Sequence, residues 1–145
     1  MAANLADSPR SVARALGLRP VSTETPRELD RDRLRDEPNI WLATTRSDGR
    51  PHLVPIWFVF VDDRFYVCTT SRSVKVRNIS EHPIASVALE SGSHPMIAEG
   101  TARVVARPYP AAVAAEFERK FDWDLDSEPE YDALIEVTPT RWMRW

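Results

Sequence analysis

Between Ile40 and Val61 the sequence leaves the backbone few choices. Ile40-Trp41-Leu42-Ala43-Thr44-Thr45 and the run from His52 to Val61 are rich in aromatic and β-branched residues, and Asp48-Gly49 stands between them. Such residues suit a pleated strand, and Asp-Gly supplies the positive φ of a tight reversal, so two antiparallel strands meet here. The second strand is apolar at successive positions, from Val54-Pro55-Ile56-Trp57 through Phe58-Val59-Phe60-Val61, instead of at alternate ones. A strand of that kind needs cover on both faces. In a barrel the interior covers one face, and a helix, a ligand or a second subunit must cover the other.

The rest of the chain supplies further strands of similar length. Asp62-Asp63 turns the chain into a third strand, Arg64 to Thr70; Ile84 to Glu90 makes a fourth, Met96 to Ala106 a fifth and Ala133 to Thr138 a sixth. Gly100 inside the fifth marks a bulge or a close backbone approach. Helices interrupt this order at three places. Thr25-Pro26-Arg27-Glu28 is a capping box for a helix to about Asp36; Ser73 is a natural N-cap for Val74 to Ile79, which His82-Pro83 ends; Ala111 to Phe121 places Val113, Phe117 and Phe121 on one face. Residues 1–24 read as an N-terminal extension, with a short helix at Ser8 to Leu16, and residues 25–145 as a single domain. Asp122 to Glu130 is an acidic, aromatic loop. The expected fold class is mainly β with peripheral helices, as a six-stranded antiparallel barrel. A doubly wound sheet is disfavoured, since strands and helices do not alternate regularly and no Gly-x-Gly-x-x-Gly follows a strand.

Charge singles out one segment. The chain carries a formal charge of -3, yet from Arg64 to Ser80 it has no Asp or Glu while Arg64, Arg72, Lys75 and Arg77 are all cationic. Thr69, Thr70, Ser71 and Ser73 lie in the same run, at the end of a strand and the start of a helix. Hydroxyls, cations and a helix N-terminus together suit a phosphate, although a small charge cluster also serves as a solvated helix face. Overall acidity argues against a nucleic-acid partner, and the lack of a long apolar run argues against a membrane span. The location expected is cytoplasmic. The single Cys68 rules out an intrachain disulfide, and no His or Cys spacing matches a metal site. No nucleophile paired with a base emerges, which accords with chemistry carried by a cofactor.

In this order, Ala43-Thr44-Thr45, Asp48-Gly49-Arg50-Pro51-His52, Pro55-Ile56-Trp57-Phe58, and Thr69-Thr70-Ser71-Arg72-Ser73-Val74-Lys75-Val76-Arg77-Asn78-Ile79 followed by His82-Pro83 resemble the flavin-binding split-barrel family. That family includes pyridoxamine-phosphate oxidases and deazaflavin-dependent oxidoreductases. The resemblance covers about residues 38–106 and implies a split β-barrel, a homodimer with the cofactor at the subunit interface, and a small-molecule substrate. It places Val54, Pro55, Ile56 and Trp57 beside the tricyclic ring. It assigns Thr69, Arg72, Ser73, Val74 and Lys75 to the cofactor phosphate, Thr70 to the cofactor site, and Asn78 to the cofactor from the helix. Two departures separate the chain from the oxidase branch: Val54 to Val61 has no basic residue, and the C-terminus offers Arg141-Trp142-Met143 where that branch has an Arg-x-His pair. The resemblance therefore implies F420 as cofactor, with FMN as the alternative, and argues against pyridoxine phosphate as substrate.

Plainer roles compete at several positions. Trp57 is either core or ring contact. His52 is expected at a strand edge, His82 at a helix end and His94 in a surface loop, and Cys68 is expected to be buried and inert. Trp142 and Trp145 are expected against a second subunit or the ring. A non-enzymatic flavin or haem carrier, and a dimeric domain whose basic helix meets an acidic partner, are the other readings of the same sequence.

Overall fold

The computed structural model describes residues 28–144. The extension over residues 1–24, most of the capping box that starts at Thr25, and Trp145 lie outside the described residues. The elements run α1 (Glu28–Asp36), β1 (Asn39–Thr45), β2 (Pro51–Trp57), β3 (Val59–Val61), β4 (Arg64–Thr69), α2 (Val74–Glu81), β5 (Ile84–Leu89), β6 (Met96–Val105), α3 (Ala111–Phe121), a short 3-10 helix at Leu125–Ser127, and β7 (Ala133–Arg144). Seven strands stand where the sequence predicts six, because the second predicted strand is two. All seven form one antiparallel sheet in the order β2-β1-β5-β6-β7-β4-β3.

That order explains the barrel. β2 and β3 are consecutive in the chain, separated by Phe58 alone, yet they occupy opposite edges of the sheet. The sheet must curl until its edges approach, and the result is a split barrel. Phe58 sits at the crossing, fully buried, with its N–H donating to the Pro38 carbonyl at 3.3 Å.

The turns follow from local chemistry. Gly49 has φ +86° in the β1–β2 hairpin, and Asp48 accepts from the Arg50 N–H at 3.1 Å. Asp62 and Asp63, at φ 50° and 59°, make the two-residue turn from β3 to β4. Aspartate tolerates this left-handed region better than most residues. Gly100 marks a register shift between β6 and β7, where a Cβ would lie 2.0 Å from the Thr138 carbonyl oxygen.

Two apolar cores result. Inside the barrel are Leu42, Phe58, Phe65, Val67, Ile135 and Val137, with Trp142 against Phe60 and Phe65. Trp142 thus belongs to the chain's own core, where the sequence suggested a second subunit or the ring. The supposed tail that carries it is the end of β7, paired with β6 as far as Arg144. Outside the barrel, α3 lays Val113 and Phe117 over Tyr66, Cys68 and Leu134. β4 is therefore the strand buried on both faces. β2 alternates between half-buried and exposed residues, with Leu53 at 59% and Trp57 at 49% exposure. No helix among the described residues is long and apolar enough to cross a membrane.

Candidate functional site

The end of β2, the end of β4, the start of α2 and the segment after α3 converge on one open cleft of about 750 Å³. β2 contributes Ile56 and Trp57, β4 contributes Cys68 and Thr69, the turn before α2 adds Thr70 and the first turn of α2 adds Lys75. Phe121, Asp122, Trp123, Glu128 and Tyr131 form the facing wall. The volume lies within the range of small-molecule and cofactor sites, ~300–1,000 Å³.

One side of the cleft is aromatic. Trp57 stacks on Phe121 with centroids 4.5 Å apart and planes 8° from parallel, and it meets the edge of Trp123 at 6.1 Å. Half-exposed Trp57 is a cleft wall and not a core residue. Beside the stack, the Lys120 ammonium lies 5.4 Å from the Phe121 ring centroid and 3.7 Å from that of Phe58, and donates to the Phe58 carbonyl at 2.8 Å. Burial pulls the Lys120 amine down to about 8.

The opposite end is polar. Ser73 caps α2 by accepting from the Val76 N–H at 3.4 Å. Lys75 stands in the first turn of that helix, half-buried, and desolvation alone lowers its pKa. No acidic partner for its ammonium is found among the described residues. Lys75 is thus a cleft residue and not the solvated helix face that most exposed charges occupy. Nearby, His52 is half-buried with its Nδ1 buried and lacking a hydrogen-bond partner, and its pKa is lowered by burial first and then by Arg46 and Lys75. Burial pushes the Cys68 thiol up to about 11, so it stays protonated and unreactive at neutral pH.

Of the residues singled out in the sequence, Ile56, Trp57, Thr69, Thr70 and Lys75 come together in the cleft. Arg72 is exposed in an adjoining recess of about 380 Å³, with Thr70 common to both. Val54 and Pro55 lie along β2, and Val74 opens α2, none of them in the lining. Asn78 is not in the lining: it is buried, and its amide donates to Thr44 Oγ1 at 3.0 Å, tying α2 to β1. His82 caps the C-terminus of α2 and His94 is exposed. The facing wall, Phe121 to Tyr131, is what the sequence reading missed as site. Its composition was visible, but nothing local showed that α3 would carry it back over β2.

Comparison with known proteins places these features in a family. Residues 27–145 match the pyridoxamine 5'-phosphate oxidase family, and the chain belongs to it. No curated protein matches the sequence significantly. Among solved structures, the haem storage protein HutZ from Vibrio cholerae is similar, with a TM-score of 0.68 at 20% identity over 81% of this chain and 94% of that one. A conserved hypothetical protein from Mycobacterium tuberculosis gives 0.68 at 23% identity over 86% of this chain and 87% of that one. An F420 reductase gives 0.66 at 22% identity over 81% of this chain and 98% of that one. These likenesses show the fold.

Proposed function

We propose that the chain is an oxidoreductase that binds coenzyme F420, or alternatively FMN, in this cleft and moves a hydride between it and a small organic acceptor. One observation carries the reading: the flat Trp57–Phe121 stack and a half-buried ammonium with no acidic partner among the described residues, beside a helix N-terminus, line the same cavity. A cofactor with a planar ring and a phosphate needs both. Ile56 and Trp57 would hold the ring, with Val54 and Pro55 on the same strand. Lys75, Thr69 and Thr70 would hold the phosphate, with Ser73 setting the helix end and Arg72 closing from the recess next door. The cofactor, when bound, supplies the hydride chemistry. The chain's own contribution is to orient the ring, neutralise the phosphate and restrict water.

The reading includes a homodimer. Register puts Trp41, Leu53 and Ile84 on one face of β2, β1 and β5, and these are 39%, 59% and 55% exposed. An apolar sheet face of this kind, continuous with the strand that lines the cleft, favours a second copy that covers it and completes the site.

Haem binding without catalysis is the second reading, favoured by the likeness to HutZ. The cleft suits it less well, because its lining cysteine stays protonated and His52, the histidine beside Lys75, is not among the described lining residues. The deciding experiment mixes the protein anaerobically with reduced F420 or reduced FMN and a panel of enones and quinones. Acceptor-dependent oxidation of one cofactor supports the proposal. Oxidation no faster than the protein-free rate with every acceptor refutes it.

A further inference from the structure

We infer that Lys120 is a positioning residue of the cleft: the charge on its amine staples α3 to the β2–β3 crossing and thereby holds the Trp57–Phe121 wall in place. The staple stands on the geometry of the wall; its bearing on a cofactor rests on the preceding reading.

Two pairs of chain neighbours meet at this point. Trp57 ends β2 and is followed by Phe58, while Lys120 is followed by Phe121, which ends α3. On the buried side the Lys120 ammonium lies 3.7 Å from the Phe58 ring centroid and donates to the Phe58 carbonyl at 2.8 Å. On the cleft side Phe121 stacks on Trp57. One residue step joins each partner of the first contact to a partner of the second, so where Lys120 sits on Phe58 sets how Phe121 meets Trp57.

The same amine ties in a third element. Phe58 belongs to neither β2 nor β3, and Lys120 supplies the donor for its carbonyl. In the last turn of α1, the ammonium also reaches the Leu34 carbonyl at 3.4 Å, and Arg119 Nη2 donates to the Arg35 carbonyl at 3.1 Å beside it. Cations suit the carbonyl end of a helix. Lys120 thus stands where α1, the crossing and α3 converge.

The hold depends on charge. A cation over a ring face is drawn to the ring's quadrupole, whereas a neutral amine can still donate to a carbonyl but loses that attraction. Burial first, and Arg119 next, bring the Lys120 amine down to about 8, against weaker favourable pulls from Glu116, Asp36 and Glu37. Those three carboxylates are committed to arginines: Glu116 to Arg119, Glu37 to Arg33 at 2.8 Å and Asp36 to Arg35 at 4.0 Å. The amine is therefore largely charged at pH 7 and largely neutral at pH 9, and the wall should loosen between them. Around the cleft, burial lowers His52 and pushes Cys68 up to about 11 and Tyr109 to about 12, which keeps these groups out of that interval. Lys75, the other lysine of the chain, is also lowered by desolvation, so the test must resolve the two.

The test follows the cofactor-free full chain by NMR from about pH 6.5 to 9.5, with carbon-13 at lysine Cε and nitrogen-15 in the tryptophan indoles. Lys75→Met and Trp57→Phe assign the signals. The Lys120 Cε signal should titrate with a midpoint of about 8, and the Trp57 indole signal should move with the same midpoint. Lys120→Arg, which keeps a cation and does not titrate, should hold the Trp57 signal at its neutral-pH position throughout. Lys120→Met should place it at the wild-type alkaline position at every pH. A Trp57 signal that stays still while Lys120 titrates, or whose movement survives in Lys120→Arg, overturns the inference. So does a Lys120 amine still charged at the top of the range. If Lys120→Met fails to fold, the paired wild-type titrations and Lys120→Arg decide alone. F420 and FMN are then titrated into wild type and Lys120→Arg at pH 7 and pH 9. Wild type should lose about three- to tenfold more affinity than the variant on going to pH 9, the strength of a half-buried cation–π contact. Equal losses overturn the staple's role at the site. Binding of neither cofactor at either pH, with the coupled titrations intact, removes the oxidoreductase and supports the staple.

Discussion

Replacing Lys75 with methionine separates the chemistry of the cleft from the stability of the fold. Methionine retains an apolar stem and deletes the ammonium. That ammonium has no acidic partner among the described residues, and its pKa is lowered by desolvation. A base whose folded pKa lies below its unfolded value binds more protons in the unfolded chain, so folding stability rises with pH between the two values. Below both values the ammonium stabilises nothing in the cofactor-free protein. Lys75→Met should therefore leave the cofactor-free melting temperature unchanged or slightly raised. A bound phosphate reverses the sign, because it supplies the missing counter-charge. Losing a charge-assisted contact of roughly 1.5–3 kcal/mol weakens binding about ten- to a hundredfold. The assay is a fluorescence titration of F420 and of FMN into wild type, Lys75→Met and Arg77→Ala at two salt concentrations, with the gap widest at low salt. Arg77, exposed on the same helix, is the proper control. Lys120 is not, because it is half-buried and bonded to the carbonyls of Phe58 and Leu34. Equal affinities for wild type and Lys75→Met would refute the phosphate assignment. A fall of several degrees in the cofactor-free melting temperature would refute the claim that the ammonium is unpaired.

Trp57→Phe should remove most of the fluorescence quench that accompanies cofactor binding, since Trp57 forms the cleft wall; an undiminished quench places the ring elsewhere. Gly100→Ala should destabilise the fold by about 2 kcal/mol or more, because a Cβ 2.0 Å from the Thr138 carbonyl forces β6 and β7 apart and loosens their hydrogen bonds. Chemical denaturation measures this, and a loss below about 0.5 kcal/mol, the range of ordinary surface substitutions, would contradict it. Leu53→Glu, on the exposed apolar face, should shift sedimentation at micromolar protein from dimer to monomer. A wild-type chain that sediments only as a 16.5 kDa species would rule out the second copy.

Local signals were legible in the sequence, and long-range ones were not. Asp48-Gly49, Asp62-Asp63, the Ser73 cap and the Gly100 bulge each announce a backbone geometry that their own chemistry requires, and each stands where it was expected. The Phe58 crossing is different. An unbroken apolar run from Val54 to Val61 reads as one strand, because nothing in it marks a change of sheet edge. Trp142 was misplaced for a related reason: a short aromatic tail looks exposed until its register against β6 puts it inside the barrel. In the cleft, the β4–α2 half was legible, since hydroxyls, a cap and Lys75 are contiguous. The half from Phe121 to Tyr131 was not, as its place depends on α3 packing Val113 and Phe117 across the outer face of β4 and β7.

The central claim is that the cleft binds a deazaflavin or flavin through Trp57 and Lys75. Absorbance titration of the purified chain with F420, FMN and hemin tests it most directly. The account predicts saturable binding of F420 or FMN at one site per chain, with a perturbed cofactor band, and a clear loss of affinity in Lys75→Met. Saturable binding of hemin alone, or no saturable binding of either flavin-type cofactor, would contradict it.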